Sequence, residues 1–155
     1  MTGADVTIRR ALAADAATLS ALAFRSKSYW PYDAALLERL RPALTVSVEY
    51  VAAWPVYVAE DHGRCAGFYG FRSIDGETFL HDFWVDPPLI GTGIGRALWH
   101  HALRTARAHE YTSFLIESDP NAEPFYIRMG ARRARERVSP DSGRLLPLLR
   151  YDLKR

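Results

Sequence analysis

The sequence predicts a single α/β domain in which a mixed, mostly antiparallel central sheet is flanked by helices. Three observations predict it. Apolar runs of strand length at 56–60, 65–73 and 77–85 follow one another across the turn signals Asp61-His62-Gly63 and Asp75-Gly76, the pattern of an antiparallel meander. Residues 94–110 then repeat Ile94, Leu98, Ala102 and Ala106 at helical spacing, widened by Trp99 and Leu103, with Arg96, His100, Arg104 and Arg107 on another face. An apolar strand at 112–117 follows, so a helical crossover joins it to 77–85 and the two should pair in parallel.

The remaining elements follow in order. Val6-Thr7-Ile8-Arg9 is a short β-prone run. A helix comes next, with Asp15 as its N-cap and Ala16, Leu19, Leu22 and Ala23 on one face. Tyr29-Trp30-Pro31-Tyr32 connects it to a second helix at 33–44, whose inner face carries Leu36, Leu37 and Leu40. A short helix near 123–129 and a hairpin of 132–138 with 145–153, turning at Asp141-Ser142-Gly143, complete the sheet. No internal repeat or low-complexity segment interrupts this order. With 155 residues, 48% hydrophobic and 25% charged, the chain fits one domain over 1–155, and disordered and coiled-coil classes drop out.

The formal net charge of +2 argues against a polyanionic partner, and nucleic acid is not expected. Arg132, Arg133, Arg135 and Arg137 alternate along a strand, the pattern of a solvated face. The single cysteine, Cys65, sits in an apolar run as a small buried side chain and has no internal disulfide partner. Residues 1–5 lack the basic and apolar regions of a secretory signal. The longest apolar stretch, 43–59, is broken by Glu49 and Pro55 and falls short of the roughly 20 residues of a membrane span. A cytoplasmic protein without membrane partner or metal site is expected.

The segment that points to chemistry is Val85-Asp86-Pro87-Pro88-Leu89-Ile90-Gly91-Thr92-Gly93-Ile94-Gly95-Arg96-Ala97-Leu98. Alternate glycines let the backbone approach a ligand closely, and the helix they open offers unpaired N–H groups and a positive dipole end. That combination suits a pyrophosphate. A dinucleotide fingerprint fails because Arg96 stands where its third glycine belongs, and a Walker loop fails for want of a Lys-Ser or Lys-Thr pair.

A second segment, Glu117-Ser118-Asp119-Pro120-Asn121-Ala122-Glu123-Pro124-Phe125-Tyr126-Ile127-Arg128-Met129-Gly130-Ala131, follows shortly after. Together the two stretches resemble the GCN5-related N-acetyltransferase family, whose signature pairs a [QR]-G-x-G-x-[GA] turn with N-x-x-A-x-x-F-Y-x-x-x-G-F. Gly91, Gly93, Gly95, Ala122, Phe125, Tyr126 and Gly130 fall in register, while Ile90 replaces the usual Gln or Arg and Asp119 the usual Asn. Ile8-Arg9-Arg10-Ala11 and Asp15 resemble the family's opening strand and helix.

The resemblance implies an acyl-coenzyme A N-acyltransferase fold with acetyl-coenzyme A as co-substrate and no metal. It implies cofactor contacts from Val85 and Gly91, and a cradle of backbone N–H groups over Thr92, Gly93, Ile94, Gly95 and Arg96. Asp119 or Asn121 would meet the pantetheine arm, and Tyr126 would protonate the coenzyme A thiolate.

An aliphatic ammonium must lose a proton before it attacks. Alternation along the strand places Phe79, His81, Phe83 and Val85 on one face and Asp82 on the other. The glutamate several family members carry aligns with Phe79 and is absent here. His81 stands where the aralkylamine (serotonin) acetyltransferases have a histidine, which makes it the candidate base. Asp82 or Glu117 could instead orient it or act through water. Tyr29, Trp30 and Tyr32, with Trp54 and Tyr57 later, suit an apolar or cationic acceptor. The expected function is direct acetyl transfer to a small-molecule amine. The alternatives are a peptide or protein amine, or a non-catalytic acyl-coenzyme A sensor, to which Phe79 and Ile90 lend weight; a homodimer is an allowed assembly.

Overall fold

A computed structural model describes residues 6–154. Its elements are β1 (Val6–Arg10), α1 (Ala16–Lys27), α2 (Ala34–Leu44), α3 (Val48–Ala53), β2 (Val56–Asp61), β3 (Arg64–Ile74) and β4 (Glu77–Val85). They are followed by α4 (Ile94–Ala108), β5 (Ser113–Glu117), α5 (Glu123–Arg128), β6 (Arg132–Val138) and β7 (Leu145–Asp152). The strands form one seven-stranded sheet in the order β1-β2-β3-β4-β5-β7-β6. All neighbours are antiparallel except β4 and β5, which pair in parallel through Phe79 and Leu115 as the crossover argument requires. The segment 1–5, read for a secretory signal, lies outside the described residues.

Turn chemistry sets the meander. His62 and Gly63 have φ of 53° and 76°, and Asp75 and Gly76 have 52° and 80°. Two consecutive left-handed residues match the twist of paired strands. Each face of the sheet carries its own core. Leu98 and Trp99 of α4 pack against Tyr69, Phe71, Leu80 and Phe114 of the sheet, all buried. Leu19, Leu22, Leu40, Val51, Val56 and Phe68 join α1, α2 and α3 to the other face.

Local physics departs from expectation in three places. Asp15 does not cap α1: a short 3-10 turn precedes the helix, and the carboxylate accepts from the Leu12 N–H at 2.7 Å and from Arg9 at 2.9 Å. Asp33 does act as a cap, accepting from the Leu36 N–H at 2.7 Å. Helix α3 arises inside the apolar stretch 43–59, where Ser47 accepts from the Tyr50 N–H at 3.0 Å; six residues are too few for periodicity to reveal.

The third departure matters most. Gly70 lies opposite Asp82 and Phe71 opposite Leu80, so His81 is the extra residue of a β-bulge. A bulge inverts alternation. Phe79 therefore packs with Leu115 and Leu148, whereas Phe83 and Val85 pack on the α4 side, and the shared face expected for Phe79, His81, Phe83 and Val85 is not formed.

The β6 arginines are ion-paired: Arg132 with Asp152 at 3.0 Å, Arg133 with Glu123 at 2.7 Å, Arg135 with Glu77 at 3.7 Å and Arg137 with Glu117 at 2.5 Å. Cys65 is half-buried with its thiol against the Gly67 carbonyl, and burial pushes the thiol pKa up, away from nucleophilic reactivity. Among the described residues no helix is long and apolar enough to cross a membrane, and no group of three or more His, Cys, Asp or Glu could hold a metal ion.

Candidate active site

A cleft of about 480 Å3 opens where the end of β4 meets the start of α4 and the segment leading into α5, with Val85, Gly91, Gly93, Gly95, Asn121 and Tyr126 in its lining. The chain leaves β4 through a 3-10 turn at Pro87–Leu89, then reaches Gly91 and Gly93 at φ of 84° and 98°. Both values lie in the left-handed region that glycine adopts without strain. The first bond inside α4 is Ala97 N–H to Gly93 O at 3.0 Å. The N–H groups of Ile94, Gly95 and Arg96 precede it and have no acceptor within the helix. At Gly95 a Cβ would come within 3.4 Å of Phe125 Cε1, so the absence of a side chain keeps that floor open.

Exposed donors aimed from the first turn of a 15-residue helix, on a floor without side chains, fit a pyrophosphate-bearing group. Within the expected cradle, Thr92 departs: its N–H and hydroxyl bond to Leu89 O at 3.2 and 2.5 Å, inside the turn. Ile94 is fully buried in the core and is not part of the cleft lining, while Arg96 borders the cleft. Ile90 borders it too and is 41% exposed.

Tyr126 stands on α5 with its ring among Phe83, Trp99 and Phe125, at centroid distances of 5.9, 6.0 and 5.4 Å. The residue is buried at 6% exposure, borders the cleft, and its hydroxyl has no hydrogen-bond partner among the described residues. Burial, followed by the charges of Asp119 and Asp82, raises its pKa far above neutrality. It is a fully protonated donor.

On the other side of β4 the bulge turns His81 outward, edge-on to Tyr50 with ring centroids 5.5 Å apart. The Tyr50 hydroxyl is buried without a hydrogen-bond partner among the described residues. Burial and then the Asp82 charge raise its pKa. Asp82 is itself buried and accepts from Trp84 Nε1–H at 2.9 Å. Thus the bulge brings His81 and Asp82 to the same tyrosine instead of to opposite faces. Tyr50 was invisible from sequence because the short helix that carries it was. Glu117 is committed to Arg137 and is not a free carboxylate.

Of the expected acceptor residues, Trp30 borders the cleft, and Tyr29 packs edge-on against it at 4.9 Å while half exposed. Tyr32 points its hydroxyl at Asp119 Oδ2, 2.7 Å away. Trp54 belongs to the α1–α3 side, and Tyr57 lies on the opposite face against Tyr69 and His101, at 5.6 and 4.8 Å; neither is in the lining of the cleft.

The two pantetheine candidates stand in different surroundings. Asn121 borders the cleft, whereas Asp119 is occupied by an ion pair with Lys27 at 2.5 Å, each side chain 9% exposed. Burial would raise the Asp119 pKa, but the Lys27 charge and the hydrogen bonds from Lys27, Tyr32 and Asn121 outweigh it and hold it below the usual carboxylate range. A depressed folded pKa contributes stability that is present above the unfolded carboxylate value and lost as pH falls. The Tm of the parent should therefore drop more steeply than that of Asp119→Asn between about pH 5 and 3, in thermal melts at matched ionic strength. Parallel pH profiles would remove Asp119 as the source.

With fold and cleft in place, comparison with known proteins assigns the class. The acetyltransferase (GNAT) family matches residues 23–131, and the chain belongs to that family. It is similar to the 5-NmdU N-acetyltransferase of Pseudomonas phage PaMx11, 32% identical over 83 residues that cover 52% of this chain and 59% of that protein. It is also similar to the peptidyl-lysine N-acetyltransferase YjaB of Escherichia coli (strain K12), 32% identical over 80 residues covering 52% of each chain. The chain thus spans about half the length of the curated relatives it matches. The PaiA N-acetyltransferase of Thermoplasma acidophilum, solved in complex with coenzyme A, shares the fold at a TM-score of 0.76 and 16% identity, over 95% of this chain and 98% of that one.

Proposed function

We propose that the protein transfers an acetyl group from acetyl-coenzyme A directly to the primary amine of a small molecule. The observation that carries this reading is one cleft lined by Gly95 and Arg96, whose N–H groups have no acceptor within the helix, and by Tyr126, whose protonated hydroxyl has no partner among the described residues. When bound, acetyl-coenzyme A supplies the thioester acyl group. The α4 N–H groups and Arg96 would hold its pyrophosphate, and Asn121 and the Val85 strand end would border its pantetheine arm. Tyr126 would give its proton to the departing sulfur; His81 stands across β4, outside the cleft lining and against Tyr50, and would take a proton from an amine that approaches from that side of the strand. The coenzyme A complex of the Thermoplasma acidophilum protein supports the choice of cofactor for this shared fold.

The aromatic wall formed by Trp30 and Tyr29 favours a compact acceptor. The reading is tested by following coenzyme A thiol release from acetyl-coenzyme A with phenethylamine, spermidine and an N-terminally blocked lysyl peptide. Faster release with a small amine than with the peptide supports it; peptide preference would move the activity to protein acetylation, and release with none would leave a binding protein. His81→Gln should lower turnover about a hundredfold with coenzyme A affinity unchanged, because glutamine cannot take the amine proton. Turnover within threefold of the parent would place the base elsewhere.

A further inference from the structure

The polar cluster behind the cleft is built on a single carboxylate. Asp119 Oδ2 accepts from Lys27 Nζ at 2.5 Å and the Tyr32 hydroxyl at 2.7 Å. Its Oδ1 accepts from the Asn121 N–H at 2.8 Å and Asn121 Nδ2 at 3.0 Å, and Asn121 Nδ2 also reaches the Tyr32 hydroxyl at 3.2 Å. Two cations lie over the Tyr32 ring, Lys27 at 5.2 Å and Arg144, from the β6–β7 connection, at 4.9 Å. One carboxylate therefore ties the segment bearing Trp30 to the segment bearing Asn121, and those two residues stand in the lining of the same cleft.

Stability does not explain this arrangement. Taking two ions out of water costs about as much as their attraction returns, and well-packed apolar side chains would hold α1 to the sheet equally well. Burial already pulls the Lys27 pKa down, against the charge and hydrogen bond of Asp119. What apolar packing cannot supply is direction: four donor atoms converging on one carboxylate fix both loops to hydrogen-bond tolerance.

We propose that Lys27, Asp119 and Tyr32 are positioning residues that set the distance between the Trp30 and Asn121 walls and so define the space into which the acceptor amine fits. This rests on the acyl-transfer reading of the cleft. The cluster acts through its neighbours: Asp119 holds Asn121, Tyr32 and Lys27 bracket Trp30 in sequence, and Arg144 extends the hold to the β6–β7 connection. The Asp119 carboxylate and the Tyr32 hydroxyl are spent within the cluster, and the wall beside it is the aromatic pair Trp30 and Tyr29. A compact amine with an apolar or aromatic body suits that wall.

The test compares the parent with Lys27→Met and with Lys27→Met/Asp119→Asn. The double variant removes both charges together and leaves no buried carboxylate unpaired should the single variant fail to fold. Hydrogen exchange is followed at the amides of Tyr29, Trp30 and Tyr32, the exchangeable positions of 29–32, coenzyme A affinity by calorimetry, and KM and kcat with whichever of phenethylamine, spermidine and the blocked lysyl peptide the parent turns over fastest. In the double variant, exchange at 29–32 should rise at least about tenfold while β3 and α4 stay within about twofold. KM for the amine should rise at least about tenfold with kcat within about threefold, and coenzyme A affinity should fall by less than about tenfold, because Asn121 also borders the pantetheine arm. A merely structural pair would lower Tm without that split. Unchanged exchange at 29–32, or an unchanged KM, in the folded double variant overturns the proposal. A parent that binds no coenzyme A fails the acyl-transfer reading instead, and the two failures are told apart by the calorimetry.

Discussion

Gly95→Glu should abolish measurable coenzyme A binding while the protein stays folded. Gly95 sits in the first turn of α4 and borders the cleft; its φ is not in the left-handed region, so a side chain there is not strained by the backbone. A Cβ would meet Phe125 Cε1 at 3.4 Å, an ordinary contact. A carboxylate near a helix N-terminus is also favourable in the free protein. The variant therefore gains a group that competes with pyrophosphate for the same N–H donors without damaging the fold. Like charges about 4 Å apart repel by about 4 kcal/mol at an effective dielectric of about 20, or about a thousandfold in affinity. Gly95→Ala should lose less than about tenfold, since a methyl adds bulk but no charge. Calorimetric titration of both variants checks this, and unchanged affinity in folded Gly95→Glu would contradict the cradle.

Tyr126→Phe should lower turnover by about 10²–10⁴ with acetyl-coenzyme A affinity nearly unchanged. The substitution leaves the ring contacts to Phe83, Trp99 and Phe125 in place. Because the hydroxyl has no partner among the described residues, its removal strands no donor or acceptor, and a stability loss cannot mimic the effect. The phenol is also protonated at every pH near neutrality, so the size of the effect should not vary with pH in that range. Steady-state kinetics beside calorimetry decide it. Turnover within threefold of the parent would make Tyr126 a packing residue.

How much of this was legible in the sequence depends on the range over which each feature is determined. The two turns, the α4 stripe and the glycine turn are local, and each appears in the structure where residue type and spacing place it. The parallel pairing of β4 with β5 followed from connectivity, because a helical crossover leaves few alternatives. The bulge at His81 was not legible: it is a mismatch of count between two strands, and it exists only once Gly70 is set opposite Asp82. Its consequence was a wrong assignment of faces, Asp82 being brought to Tyr50 along with His81. Asp119 is the same lesson at longer range. Its residue type marked it as unusual, but the ion pair that removes it from the cleft joins it to Lys27, 92 positions away in sequence. Thr92 is a shorter-range case, since its N–H bonds to Leu89 O inside the turn that follows the two prolines.

The central claim is that one cleft binds acetyl-coenzyme A and delivers its acetyl group to an amine. The most direct measurement is mass spectrometry of parent protein incubated with acetyl-coenzyme A and the three amines, with Tyr126→Phe and Gly95→Glu run beside it. The account predicts N-acetylated amine and free coenzyme A in equal amounts from the parent, strongly reduced product from Tyr126→Phe, none from Gly95→Glu, and no acetyl group left on the protein. An acetylated protein intermediate, or acetylated amine formed equally by all three proteins, would contradict it.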